Sequence, residues 1–246
     1  MDKRGWIIFA VAVIGIFAAL IVFSRQSKVD VASYDNGTIL TAADKPEGAI
    51  ADHTFGLSKD EAKVVLVEYG DFQCPGCGQL HKTMQPFLAE YEDKIAFVYR
   101  HFPLTQIHPN ARAAASAAEA AGLQDKYWQM HNKLFDSQPA WENLSVDKRD
   151  DMFRSYAKSL NLDMDKFEKD YASEKVAGKI NFDQALGKDN GVNATPTLFL
   201  NGKKLESNQF ASLDELKSTI DKALKDAGVA VKDEAKATEK DAKDDK

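Results

Sequence analysis

Cysteine is scarce in this chain. Its 246 residues hold only two, Cys74 and Cys77, and both lie in one Cys-Pro-Gly-Cys unit. Two cysteines cannot staple a disulfide scaffold, nor can they complete a four-cysteine zinc or iron–sulfur site. Haem attachment through C-x-x-C-H is excluded because residue 78 is Gly. An excess of positive charge is also missing. The 32 Lys and Arg stand against 38 Asp and Glu, a net charge of −6, which is the wrong sign for a binder of nucleic-acid phosphates. No internal repeat is visible. Apolar content is not lacking: 44% hydrophobic and 28% charged residues suit a chain that buries a core and argue against wholesale disorder.

One long apolar run is present, from Trp6 to Phe23, 18 residues without a charge. At ~1.5 Å per residue it reaches about 27 Å, near the ~30 Å hydrocarbon core of a bilayer. It is long for the ~7–15 residues of a signal-peptide core, and no small-x-small cleavage site follows. An uncleaved transmembrane anchor is expected at 6–23, with residues 1–5 cytoplasmic. Lys3 and Arg4 before it nearly balance Arg25 and Lys28 after it, so loop charge gives little orientation. Residues 24–50 are polar and carry the turn signals Asp35-Asn36-Gly37 and Lys45-Pro46-Glu47-Gly48, an extracytoplasmic linker. A folded domain is expected over 51–227. Residues 228–246 are mostly Lys, Asp, Glu and Ala and are expected as a charged disordered tail, with too little apolar surface to order.

The domain divides into three blocks. Val64-Val65-Leu66-Val67-Glu68-Tyr69 is a short β-branched run, expected as a buried strand. Leu80, Met84, Phe87, Leu88 and Tyr91 then recur at helical spacing, and Ile95–Tyr99 is a second strand, giving a βαβ unit. The second block is helical: Ala111–Ala121 with Gly122 as C-cap, then Tyr127–Phe135, Met152–Leu160, Met164–Tyr171 and Val176–Leu186. No catalytic constellation is evident there, and a covering subdomain is expected. In the third block Thr197–Leu200 is a strand, Asn201-Gly202 a hairpin turn, Lys203–Leu205 the returning strand, and Leu213–Leu224 an amphipathic helix.

The chemistry concentrates at residues 74–77. Two thiols three residues apart at a strand-to-helix turn can close a disulfide across one helical turn. Cys74 would sit where free backbone N–H groups and the positive end of the helix dipole stabilise a thiolate. A stabilised thiolate stabilises the reduced form and makes the disulfide more oxidising. Pro75 suits the first helical turn. Cys77, one turn in, would be the more buried, resolving thiol. Two other readings stay open: a partial zinc site with His81 (C-x2-C-x3-H), and an inert cysteine pair. Glu68 ends the apolar strand six residues before Cys74. It is either a partly buried carboxylate with a raised pKa that relays a proton to the inner thiol, or a solvent-facing strand end. Thr195-Pro196 precedes a strand, where proline is tolerated only at the first position or an edge, and its bond is a candidate cis peptide.

Together these residues resemble the thioredoxin superfamily, in particular its DsbA-like thiol–disulfide oxidoreductases of the membrane-tethered bacterial type. The matching pieces are Glu68–Cys77, Arg100-His101-Phe102-Pro103-Leu104, Ala111–Ala121, Trp128-Gln129-Met130-His131 and Thr195–Gly202. The resemblance implies an α/β thioredoxin fold with an inserted helical subdomain at about 105–190, preceded by one N-terminal transmembrane helix. It implies Cys74 as exposed nucleophile, Cys77 as buried partner, Glu68 as buried acid and Pro196 as a cis residue facing the disulfide, with Pro75, Gly76 and Thr195 as support. Strong oxidants of the family carry His where this chain has Gly76. The implied function is an extracytoplasmic oxidase that introduces disulfides into exported proteins with free thiols, at the cell membrane through its own anchor. Its only redox group would be the Cys74–Cys77 disulfide, with no metal and no other cofactor, and a membrane partner of DsbB or VKOR type would reoxidise it. The alternatives are a reductase or isomerase using the same site, or a non-catalytic tethered binding or chaperone domain.

Overall fold

The computed structural model describes residues 6, 9, 12–16, 31–34, 37–43, 45 and 50–231. Most of the anchor expected at 6–23, the N-terminus at 1–5 and the tail beyond 231 lie outside the described residues. Among the described residues no helix is long and apolar enough to cross a membrane.

Five strands form one mixed sheet: β1 (Thr54–Gly56), β2 (Val65–Gly70), β3 (Ala96–His101), β4 (Thr197–Leu200) and β5 (Lys203–Lys204), in the order β1-β3-β2-β4-β5. The parallel β2–β3 pair sets Glu68 beside Tyr99, and the antiparallel β2–β4 pair sets Glu68 opposite Leu198. Helix α1 (Pro75–Tyr91) connects β2 to β3. This is the expected βαβ unit, followed later by a ββα unit ending in α8 (Leu213–Asp226). The turn between β4 and β5 has positive φ at Asn201 and Gly202, 47° and 77°, as a primed hairpin requires.

Between β3 and β4 lies the helical insertion: α2 (Ala111–Gly122), α3 (Tyr127–Asp136), α4 (Gln138–Trp141), α5 (Val146–Ser159), α6 (Met164–Tyr171) and α7 (Glu174–Asp189). Alternation along β2 divides the sheet's two faces. Leu66 joins Phe97, Tyr99 and Leu198 in the main core with α1, α8 and the Ala-rich face of α2. Val67 and Tyr69 face the other way with Val98, Phe199, Ile39 and Val192.

Two expectations need correction. Gly122 does not cap α2; it is the helix's last residue, and the left-handed position is Asp125, φ 59°. Gly122 is small because a Cβ there would lie 2.5 Å from the ring of His53. The described part of the expected linker at 24–50 does not hang free either. Val31, Ile39, Leu40 and Ile50 are buried. Arg100 donates to the Thr38 carbonyl at 2.6 Å and to Asp52 at 2.8 Å, and Asp52 also accepts from Leu40 N–H at 3.0 Å and Lys179 at 2.7 Å. Buried charges persist only when paired, and here the pairing ties the preceding segment to β3 and α7.

Candidate active site

The site begins where β2 stops. Gly70 is needed there because a Cβ would lie 2.3 Å from the Tyr99 ring. The chain then turns tightly: Asp71 Oδ1 accepts from Gln73 N–H at 2.8 Å, and the Asp71 carbonyl accepts from Cys74 N–H at 3.0 Å. Cys74 occupies the N-cap of α1 with extended backbone, and Pro75 begins the helix, where its missing N–H costs nothing. The expected helix start is therefore in place.

The two sulfurs differ sharply. Both cysteines are free thiols. Cys74, expected as the exposed thiol, is itself buried, only 8% exposed beneath the Thr195–Pro196 loop, and Cys77 is fully buried. The Cys74 thiol is pushed down to about 5. The largest cause is the hydrogen bond from Cys77, which outweighs desolvation; the Thr195 side chain and the backbone N–H groups of Cys77 and Gly76 follow. The helix start thus contributes, but its neighbour's thiol contributes more. Burial drives the Cys77 thiol well above its ordinary value, and its bond to Cys74 adds to this.

The Thr195–Pro196 bond is cis. Cys74 Sγ donates to the Thr195 carbonyl at 3.4 Å. A Cβ on Gly76 would lie 3.3 Å from Pro196 Cδ and 3.7 Å from Cys74 Sγ. The loop before β4 therefore faces the Cys-Pro-Gly-Cys turn, with Pro75 and Gly76 exposed beside it. Thr195 Oγ1 is buried without a hydrogen-bond partner among the described residues, a donor available to a Cys74 anion.

Glu68 lies beneath the sulfurs, 4% exposed. Desolvation, with the nearby Cys74 charge, pushes its carboxyl up to about 8. It lines a cavity of about 120 Å³ together with His81, Met84, Gln85, Trp128 and His131, which is room for a few waters at ~30 Å³ each. The solvent-facing alternative for Glu68 does not hold. His81 is buried; its Nε2 lies 3.2 Å from Asp136 and 2.9 Å from Gln85 Nε2, and burial lowers its pKa. No group of three metal-ligating side chains occurs among the described residues.

Several residues that hold the site were not anticipated. Gln138 on α4 donates to the carbonyls of Phe72 and Cys74 at 2.7 and 3.0 Å. A Cβ on Gly78 would lie 2.5 Å from Gln138 Oε1 and would push that amide off its two carbonyls. Gln73 accepts from Asn110 N–H at 2.7 Å and donates to the Glu142 carbonyl at 2.7 Å. The insertion is therefore more than a cover: its helix ends clamp the turn that carries Cys74.

A mixed sheet of this order, a Cys-x-x-Cys pair opening the helix after the central strand, and a cis-proline loop facing the pair define the thioredoxin class of fold. Comparison with known proteins agrees. The family model described as Thioredoxin matches residues 50–222, and the chain belongs to that family, as a DsbA-like member of the superfamily. Among solved structures it is similar to oxidised BdbD from Bacillus subtilis (28% identity, 76% of this chain and 96% of that one, TM-score 0.59). It is also similar to a thioredoxin-like oxidoreductase from Silicibacter pomeroyi (25%, 71% and 92%, TM-score 0.57). Wolbachia pipientis α-DsbA1 shares the fold (24%, 72% and 92%, TM-score 0.61). Curated relatives include proteins named Na(+)/H(+) antiporter NhaA. One from Mycolicibacterium vanbaalenii is 41% identical over 153 residues, 61% of this chain and 23% of that protein. One from Salinispora tropica is 40% identical, covering 62% and 22%. The chain spans about a quarter of the length of these relatives.

Proposed function

We propose that this protein is a thiol–disulfide oxidase acting on exported proteins at the extracytoplasmic face of the cell membrane, held there by the apolar segment at 6–23. The observation that carries the reading is the asymmetry of the pair. Cys74 sits at a helix start, against the Thr195 carbonyl, with its thiolate favoured. Cys77 is buried and held protonated above Glu68.

In the forward reaction a substrate thiolate attacks Cys74 Sγ of the Cys74–Cys77 disulfide. A substrate–Cys74 disulfide forms and the Cys77 sulfur leaves as a thiolate. Glu68, protonated at neutral pH, gives its proton to Cys77. A second substrate thiolate then attacks the substrate sulfur and expels Cys74 as a stabilised thiolate. The substrate loses two electrons and the Cys74/Cys77 pair gains them. The polypeptide chain of the substrate would lie along the Thr195–Pro196 loop, and Pro75 and Gly76 would shape the rim.

The two electrons gained by the Cys74/Cys77 pair then pass to an oxidant, which we take to be a membrane partner of DsbB or VKOR type. Cys74→Ser should abolish oxidation of a dithiol peptide; full activity in that variant would sink the reading. Gly76 favours a second reading, a reductase or isomerase using the same two sulfurs, because a glycine adds no positive charge beside Cys74.

A further inference from the structure

Asp71 is a buried carboxylate that the reaction above does not use. Its side chain is fully enclosed, and three donors converge on it: Gln73 N–H on Oδ1 at 2.8 Å, Leu104 N–H on Oδ2 at 2.8 Å, and the His108 ring, with Nδ1 2.8 Å from Oδ2. Its backbone serves both cysteines. The carbonyl accepts from Cys74 N–H at 3.0 Å. The Asp71 N–H donates to Cys77 Sγ at 3.5 Å.

Both directions of thiol–disulfide exchange pass through an anion on the Cys77 sulfur: it is the leaving group when substrate attacks Cys74, and the attacking group when the pair is reoxidised. That sulfur is enclosed by apolar side chains, with the Glu68 carboxyl nearby. Among the described residues the Asp71 amide is the backbone donor that meets it. A preformed N–H aimed at a developing charge is worth most where water is excluded.

We propose that Asp71 is a positioning residue: its carboxylate, gripped by Gln73, Leu104 and His108, aims its own amide at Cys77 and so stabilises the anion that forms there. The carboxylate's charge would oppose a neighbouring anion, but three donors meet it. His108 and Leu104 belong to the segment between β3 and α2, so the stretch entering the insertion helps set how fast the inner sulfur reacts. The inference rests on the oxidoreductase reading.

The test uses the full chain with its disulfide closed, reduced by glutathione at neutral pH, in wild type, Asp71→Ala and Asp71→Asn. The Cys74 alkylation midpoint of each reduced protein is measured beside it. Without the carboxylate the residue-71 amide loses its aim, and weakening that hydrogen bond to a charged sulfur is expected to slow reduction of Asp71→Ala by about tenfold or more. Asp71→Asn keeps one acceptor oxygen and should fall between, about threefold slow. The Cys74 midpoint should stay within ~0.3 pH unit in both, because the contacts that lower it do not include the Asp71 side chain. Should Asp71→Ala fail to fold, Asp71→Asn decides alone. Rates within twofold of wild type would overturn the proposal, and so would a Cys74 midpoint that moves in step with the rate, which marks a general loosening of the turn. A wild type that does not exchange with glutathione at all defeats the oxidoreductase reading, and this inference with it.

Discussion

Glu68 offers a quantitative test of how the site is built. Burial beneath the sulfurs holds its carboxyl up at about 8, against 4.5 in the unfolded chain. A raised carboxyl binds its proton more tightly in the folded state, so its contribution is intact below pH 4.5 and is lost as pH rises toward 8. The full span corresponds to roughly 5 kcal/mol, and the part reached by pH 7 to roughly 3 kcal/mol. Glu68→Gln keeps the shape and removes the titration. Urea unfolding of both reduced proteins at pH 4, 7 and 8.5 isolates the effect, because every other group is common to the pair. The variant should gain on wild type by about 3 kcal/mol between pH 4 and pH 7, and by more at pH 8.5. A stability difference that stays flat over this range would refute the claim that Glu68 is a desolvated, protonated acid. The variant should also be slow in mixed-disulfide formation at neutral pH, since the inner sulfur loses its proton source.

Other outcomes follow from specific contacts. In Cys77→Ala the Cys74 alkylation midpoint should rise above the wild-type value near 5, because the Cys77 thiol is the largest contributor to the depression; an unchanged midpoint would point to the helix start instead. Gln138→Ala leaves the Phe72 and Cys74 carbonyls without their side-chain donor and should cost about 1–3 kcal/mol in thermal or urea unfolding. Lys179→Met removes the ammonium that lies 2.7 Å from both Asp52 and Asp183; Asp52 keeps Arg100 but Asp183 loses its ion-pair partner, and the change should cost about 3–5 kcal/mol. Gly122→Ala should destabilise by about 1–3 kcal/mol through collision with His53. Gly178→Ala, with open space around its Cβ inside α7, should stabilise by roughly 0.5–1 kcal/mol.

Much of this architecture was legible in the sequence because local signals and tertiary structure agreed. The β-branched run at 64–69, the Cys-Pro-Gly-Cys turn and the Asn201-Gly202 hairpin each specify their own backbone, and β2, α1 and β4 fall within a residue or two of expectation. Thr195-Pro196 could be marked as a cis candidate, but its place opposite Cys74 depends on β4 pairing with β2, a long-range fact. Asp71, Gln138, Gln73 and Asn110 were not legible at all. Their roles come from hydrogen bonds between segments 33–69 residues apart, and no periodicity or spacing marks them. β1 was missed because three residues on a sheet edge give too short a pattern. The buried Asp52–Arg100–Lys179 cluster was missed because charged residues read as solvated until a partner is known.

The oxidase claim meets its most direct test in the reduction potential of the Cys74/Cys77 pair, measured by equilibration with glutathione at pH 7. A thiolate favoured at Cys74 stabilises the dithiol, so the pair should be more oxidising than roughly −200 mV. A value at or below the roughly −270 mV of thioredoxin would contradict the account and make the protein a reductant.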